Sequence, residues 1–138
     1  MSIKIFEKIG IILASRSPRR KYLLEEAGCS IFIYPSNVEE HVKLSWSPEV
    51  CASELAEQKA EDVFRQIQDS NLLQKESIFQ QKEQWVVLGA DTVVALEDEI
   101  FGKPKDEKDA YRILRSLSQN RHRVITGISI WFLNGKKH

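Results

Sequence analysis

Cysteine, glycine, proline and net charge are all scarce in this chain. Its 138 residues hold 2 Cys, 6 Gly and 4 Pro, and 20 basic side chains cancel 20 acidic ones. Cys29 and Cys51 have no C-x-x-C spacing, which excludes a zinc ribbon or a disulfide framework. They read as two reduced, partly buried thiols. Zero net charge argues against wrapping a nucleic acid, which needs a basic face to displace counterions. A small local anion site stays open. No apolar run approaches the ~20 residues of a membrane span. Met1-Ser2-Ile3-Lys4 leads into mixed polar sequence without the apolar core of a signal peptide. A cytoplasmic protein is expected. His41, His122 and His138 have no ligand spacing, and no serine sits on a nucleophile elbow. Neither a Walker A loop nor Gly-x-Gly-x-x-Gly occurs. The length suits one domain, 1–138.

What is present is a regular alternation of elements. Ile9–Ala14 is a short apolar run that suits a buried strand. Pro18–Ala27 reads as a helix with Tyr22, Leu23 and Leu24 as its apolar face and Gly28 as its stop. Ser30–Tyr34 is a second strand, broken by Pro35-Ser36-Asn37, and Val38–Val42 follows as a loop or short edge segment. Ser47-Pro48 opens a long helix reaching about Gln68, with Val50, Leu55, Ala56, Ala60, Val63, Phe64 and Ile67 on one face. Asp69–Gln84 reads as a solvated connection with some helical character. Trp85–Ala90 is a strand ended by Asp91-Thr92, and Val93–Leu96 with Ile100-Phe101 forms a hairpin. Asp106 caps a helix to Leu117, with Asp109 completing an approximate capping box. Arg121–Phe132 is a long strand, or two strands kinked at Gly127. This order predicts an α/β domain with a mixed β-sheet and flanking helices. Asn134-Gly135 is a hairpin signal, so a return strand is expected after it.

The chemistry concentrates at Ser15-Arg16-Ser17-Pro18-Arg19-Arg20. Ser17 suits the N-cap and Pro18 the first helical position. Arg19 and Arg20 then fall at the positive end of the helix dipole, where anions are favoured and cations are not. Such a placement describes a socket for a phosphate chain. Asp91, at a strand's end, is a candidate general base or metal ligand. In Glu39-Glu40 neighbours point to opposite sides, so one of them faces a site. A hard divalent cation that binds phosphates needs only one or two carboxylates. Lys59 lies beside the Ala56–Ala60 stripe, and Lys103 is mounted between Gly102 and Pro104. Carboxylates, cations and no obvious nucleophile together suggest metal-assisted hydrolysis of a phosphoanhydride.

Several motifs resemble the Maf family of nucleoside triphosphate pyrophosphatases, also known as septum formation inhibitor-like proteins. They are Ile12-Leu13-Ala14-Ser15-Arg16-Ser17-Pro18-Arg19-Arg20, Val38-Glu39-Glu40, Leu55-Ala56-x-x-Lys59-Ala60, Gly89-Ala90-Asp91-Thr92-Val93-Val94, Gly102-Lys103-Pro104, Leu117-Ser118 and Val124-Ile125-Thr126-Gly127. They come in family order. The resemblance implies an inosine-triphosphatase-like α/β fold, hydrolysis of a nucleoside triphosphate to the monophosphate and pyrophosphate, Mg2+ or Mn2+ as cofactor, and frequent homodimers. It implies Asp91 as catalytic proton acceptor and Ser15, Arg19, Arg20, Lys59 and Lys103 as triphosphate contacts. Glu40 becomes a metal-associated carboxylate, with Asp91 also at the metal. Arg19 and Thr92 fall at base-selecting positions, and their identities resemble the dTTP/UTP-cleaving branch rather than the 7-methyl-GTP branch. The family continues through further strands and a helix, carrying a base-selecting Gln, that 1–138 is expected to lack as a C-terminal truncation. A catalytically silent nucleotide binder with a regulatory role in cell division therefore stands as the alternative.

Overall fold

The computed structural model describes residues 7–97, 99–102 and 104–133. Lys103 and the Asn134-Gly135 turn lie outside the described residues. Five strands make one sheet: β1 (Ile9–Leu13), β2 (Ser30–Ile33), β3 (Gln84–Leu96), β4 (Glu99–Phe101) and β5 (Arg123–Phe132). The helices are α1 (Pro18–Glu26), α2 (Pro48–Gln68), the short α3 (Leu72–Lys75) and α4 (Glu107–Leu117). This is the mixed α/β sheet the sequence predicts. β1 runs parallel to both β2 and β3, with Ile11 opposite Ile31 and Val86. β5 runs antiparallel to β3, with Asp91 opposite Gly127 and Thr92 opposite Thr126. β4 pairs antiparallel with the far end of β3. Among the described residues no helix is long and apolar enough to cross a membrane.

Local chemistry explains the helix ends. Ser17 Oγ accepts from Arg20 N at 3.2 Å, and Ser47 Oγ accepts from Val50 N at 3.2 Å, each with Pro at the next position. α1 stops in a Schellman arrangement: Cys29 N donates to Leu24 O and Gly28 N to Glu25 O, with Gly28 at φ 93°. Asp106 caps α4 by accepting from Asp109 N at 2.8 Å. Asp109 reaches back to Lys105 N rather than to the cap residue itself. The Lys105 N–H, and after it Arg112, hold the Asp109 carboxyl below its ordinary value.

Successive strand residues feed opposite layers, as the pleat requires. Ile12 and Val87 join Ala60, Val63, Phe64 and Ile67 of α2 in the main core. Ile11 and Val86 pack on the other face, with Leu24 and Cys29. Four expectations need correcting. Tyr22 and Leu23 are 62% and 59% exposed, so Leu24 carries the packing of α1. Val50 is also exposed, and Cys51 and Ala52 are buried in its place. The connection after α2 has the expected helical character, in α3 and a further turn at Ser77–Gln80, but it is not merely solvated. Its Phe79 is 5% exposed, stacks edge-on against Trp85 at 4.9 Å and accepts the Trp85 indole N–H on its carbonyl. Polar neighbours hid it. β3 is one unbroken strand, and so is β5; Asp91 therefore lies within β3 and does not end it.

α2 lies unusually close to the sheet. A Cβ on Gly89 would meet Ala56 O at 2.2 Å, and one on Gly127 would meet the Ala52 carbonyl at 2.5 Å. Ala52, Ala56 and Ala60 are fully buried. We predict that Gly89→Ala lowers unfolding stability in urea by about 1–3 kcal/mol, the usual cost of overpacking. Gly102→Ala, with nothing within 4 Å of the added carbon, should stay within about 0.5 kcal/mol of the unsubstituted chain. Equal midpoints for the two variants would refute the close approach.

Candidate functional site

β1 ends at Leu13, and its last contact with β3 is Ala14 N donating to Leu88 O at 2.9 Å. β3 continues for eight further residues with its β1-side edge open until β4. A cleft of about 640 Å³ occupies that opening, within the usual range for small-molecule sites. Its walls come from the β1–α1 turn, the segment after β2, α2, and Asp91-Thr92 of β3. Asp91 was expected here as the end of its own strand. What ends here is the neighbouring strand, and the carboxylate still faces the crevice beyond it.

Two polar networks meet in the cleft, one from each face of the sheet. On the α2 face, Lys59 Nζ sits 2.6 Å from Asp91 Oδ1 and 3.3 Å from Glu40 Oε1. The Lys59 and Asp91 side chains are 20% and 14% exposed, that of Glu40 45%. On the α1 face, Arg20 curls back over its own helix start. Its Nη1 donates to Ser15 Oγ at 3.1 Å and to Ala90 O at 3.4 Å, and its Nη2 to Thr92 Oγ1 at 2.9 Å. Thr92 shares a hydrogen bond of 2.9 Å with Thr126. Ser15 Oγ also accepts from Ser17 N.

The structure thus brings Ser15, Arg20, Glu40, Lys59, Asp91 and Thr92 around one opening. It does not bring Arg19 there. Arg19 is exposed on the first turn of α1, outside the cleft walls. Arg16 stands in the wall instead, with Nη2 donating to Asn37 Oδ1 at 3.1 Å. Asn37 and Ser36 also line the cleft, and sequence reading gave them no role. A weak signal existed for Arg16, the third arginine of the turn. Thr126 falls within the Val124-Ile125-Thr126-Gly127 motif, but nothing in the sequence gave it a role of its own.

The charges are unevenly matched. Among the described residues, Arg16, Arg19 and Arg20 form no ion pair, whereas Lys59 has two carboxylates. Guanidinium groups met only by neutral acceptors, beside a helix N-terminus, favour an incoming anion. The described residues contain no group of three or more His, Cys, Asp or Glu that could hold a metal. The two carboxylates that share Lys59 suit a hard cation that arrives with phosphate oxygens, which needs one or two protein carboxylates.

The family model described as "Maf-like protein" matches residues 10–138. A dTTP/UTP pyrophosphatase of Ruminiclostridium cellulolyticum is 44% identical over 127 residues, 91% of this chain and 58% of the relative. One from Agathobacter rectalis is 44% identical over 90% of this chain and 59% of its own length. One from Bacillus pumilus is 40% identical over 92% and 59%. The chain thus spans less than two thirds of the relatives it matches.

Beneath the site lies Cys51, 2% exposed and packed with Ala52, Leu55 and Val93. Burial pushes its thiol pKa up, and the charges of Asp91 and Glu40 add to this. Cys29 is raised by burial. The thiolate is the reactive form, so at about pH 8 both cysteines should react with DTNB at least about tenfold more slowly in the folded chain than in denaturant. Rapid labelling of native Cys51 would contradict its placement.

Proposed function

The chain belongs to the Maf-like protein family, and from that membership we propose that it takes part in the hydrolysis of dTTP, UTP or related pyrimidine triphosphates to the monophosphate and pyrophosphate. The observation that carries this reading is the convergence of Asp91 and Glu40 on Lys59, in a cleft whose walls also hold Arg16 and Arg20, which have no carboxylate partner among the described residues. The names of the relatives support the substrate class.

On this reading the triphosphate enters beside the start of α1. Arg20, steadied by Ser15 and Thr92, meets the phosphate oxygens, and Arg16 and Lys59 add charge from the other walls. Lys103 and Arg19 belong to the same proposed set of triphosphate contacts. Thr92, one residue from Asp91, contributes to selection of the base. Glu40 and Asp91 would hold Mg2+ or Mn2+, which would supply neutralisation of phosphate charge and a more acidic water. The Asp91 carboxylate, its Oδ1 held by Lys59, accepts the proton of the attacking water. The water oxygen bonds to phosphorus, the α–β anhydride bond breaks, and pyrophosphate leaves with the bridging oxygen and its electron pair. Since triphosphates of this kind are free cytosolic solutes, the reading also places the protein in the cytoplasm.

The test is release of pyrophosphate from UTP and dTTP in magnesium buffer. Asp91→Asn should lower kcat about 10²- to 10⁴-fold, the usual contribution of a positioned base. UTP and dTTP should be preferred over ATP and GTP. An Asp91→Asn variant as fast as the unsubstituted chain would remove Asp91 from the chemistry. Tight binding of UTP with no pyrophosphate released would remove hydrolysis from the reading.

A further inference from the structure

We infer that Gln58, which lies outside the cleft, is the positioning residue for Glu40. The inference rests on the proposed reading of Glu40 as a carboxylate facing the metal–nucleotide. Residues 34–47 contain neither helix nor strand. A carboxylate on such a segment has no ladder to fix it, and an ion pair as exposed as Glu40–Lys59 is weak and screened by salt. Something else must hold the segment in place.

The polar face of α2 supplies it. Asp62 Oδ2 accepts from Ser36 Oγ at 2.7 Å and from Asn37 N at 3.3 Å. One turn earlier, Gln58 makes a reciprocal pair with His41. Its Oε1 accepts from His41 N at 2.9 Å, and its Nε2 donates to His41 O at 2.8 Å. The side-chain amide thus supplies both bonds that a neighbouring strand would offer to one residue. His41 follows Glu40, and Gln58 precedes Lys59. Two consecutive residues of α2 therefore hold two consecutive residues of the loop, one through the backbone and one through the side chain. Gln58 is not in the cleft wall, so its effect on the site must pass through Glu40. No other side chain of similar size could replace it: a glutamate loses the donor, and a methionine loses both groups.

The experiment measures binding of the manganese complex of α,β-methylene-UTP by calorimetry. Gln58→Ala should weaken binding about tenfold, in the range seen when a group orienting a metal ligand is removed. Gln58→Met, which preserves the side chain's bulk, should weaken it as much. In a Glu40→Gln background, Gln58→Ala should add nothing, because the carboxylate it positions is gone. The His41 amide should exchange faster in Gln58→Ala, with the melting temperature little changed. Unaltered binding, or an equal further loss in the Glu40→Gln background, overturns the inference while the proposed site stands. No binding by the unsubstituted chain, or full UTP turnover by Asp91→Asn, overturns the site reading itself and this inference with it.

Discussion

The structure depends on how closely α2 can lie on the sheet. Interiors are packed densely enough that one methyl group decides such a distance. Ala52, Ala56 and Ala60 form a smooth stripe, and Gly89 and Gly127 leave the sheet bare beneath it. The helix backbone therefore rests almost on the strands. This contact is what puts Lys59 within 2.6 Å of Asp91. A larger residue at any of these positions would lift the helix and open the ion pair. The same helix carries Gln58, Asp62 and Gln66 on its polar edge. These meet Tyr34, Ser36 and His41 of the segment that follows β2. One packing decision thus sets a buried face, a charged contact and the course of a loop.

A second constraint is the period of two in β3. Asp91 points toward α2 with Gly89 and Val93, and Thr92 points toward α1. Adjacent residues therefore belong to different polar networks. Those networks can share a ligand because β1 has stopped by then, so that both faces are reachable from one opening. The division of labour is electrostatic. The α2 side pairs its lysine with carboxylates, while the α1 side leaves its guanidinium groups to neutral acceptors. An anion arriving on the α1 side meets charge that no carboxylate among the described residues has already neutralised.

Both helix starts with Ser-Pro were legible in the sequence because capping is local chemistry, decided within a few residues. Most of the face of α2 was legible because Leu55, Ala56, Ala60, Val63, Phe64 and Ile67 recur with helical period; Cys51 and Ala52 at its start were not. The exposure of Tyr22 and Leu23 was not, since it depends on which strands lie under α1. Asp91 was identified as a residue of the cleft, but for a reason that needed adjustment: the break in the sheet lies in β1, and no property of β3 alone reveals it. Arg16 and Arg19 could not be ranked from sequence, because which arginine turns into the cleft depends on where Asn37 lies. Gln58 was invisible for a different reason. A glutamine on the polar side of a helix looks solvated until its partner, distant in sequence, is known.

The register of β5 against β3 ties these points together. Sliding a strand by one residue exchanges its two faces. In the observed register Gly127 stands opposite Asp91, under the Ala52 backbone, and Thr126 stands opposite Thr92 with its hydroxyl bonded to it. After a slip of one residue, Thr126 or Ile128 would face Ala52, where no Cβ fits. Thr92 would lose its hydroxyl partner as well. The steric penalty on the α2 face and the lost hydrogen bond on the α1 face oppose the same error. Gly127 therefore does more than admit the helix. It makes only one strand pairing compatible with it, and that pairing sends the carboxylate to Lys59 and the threonine to Arg20.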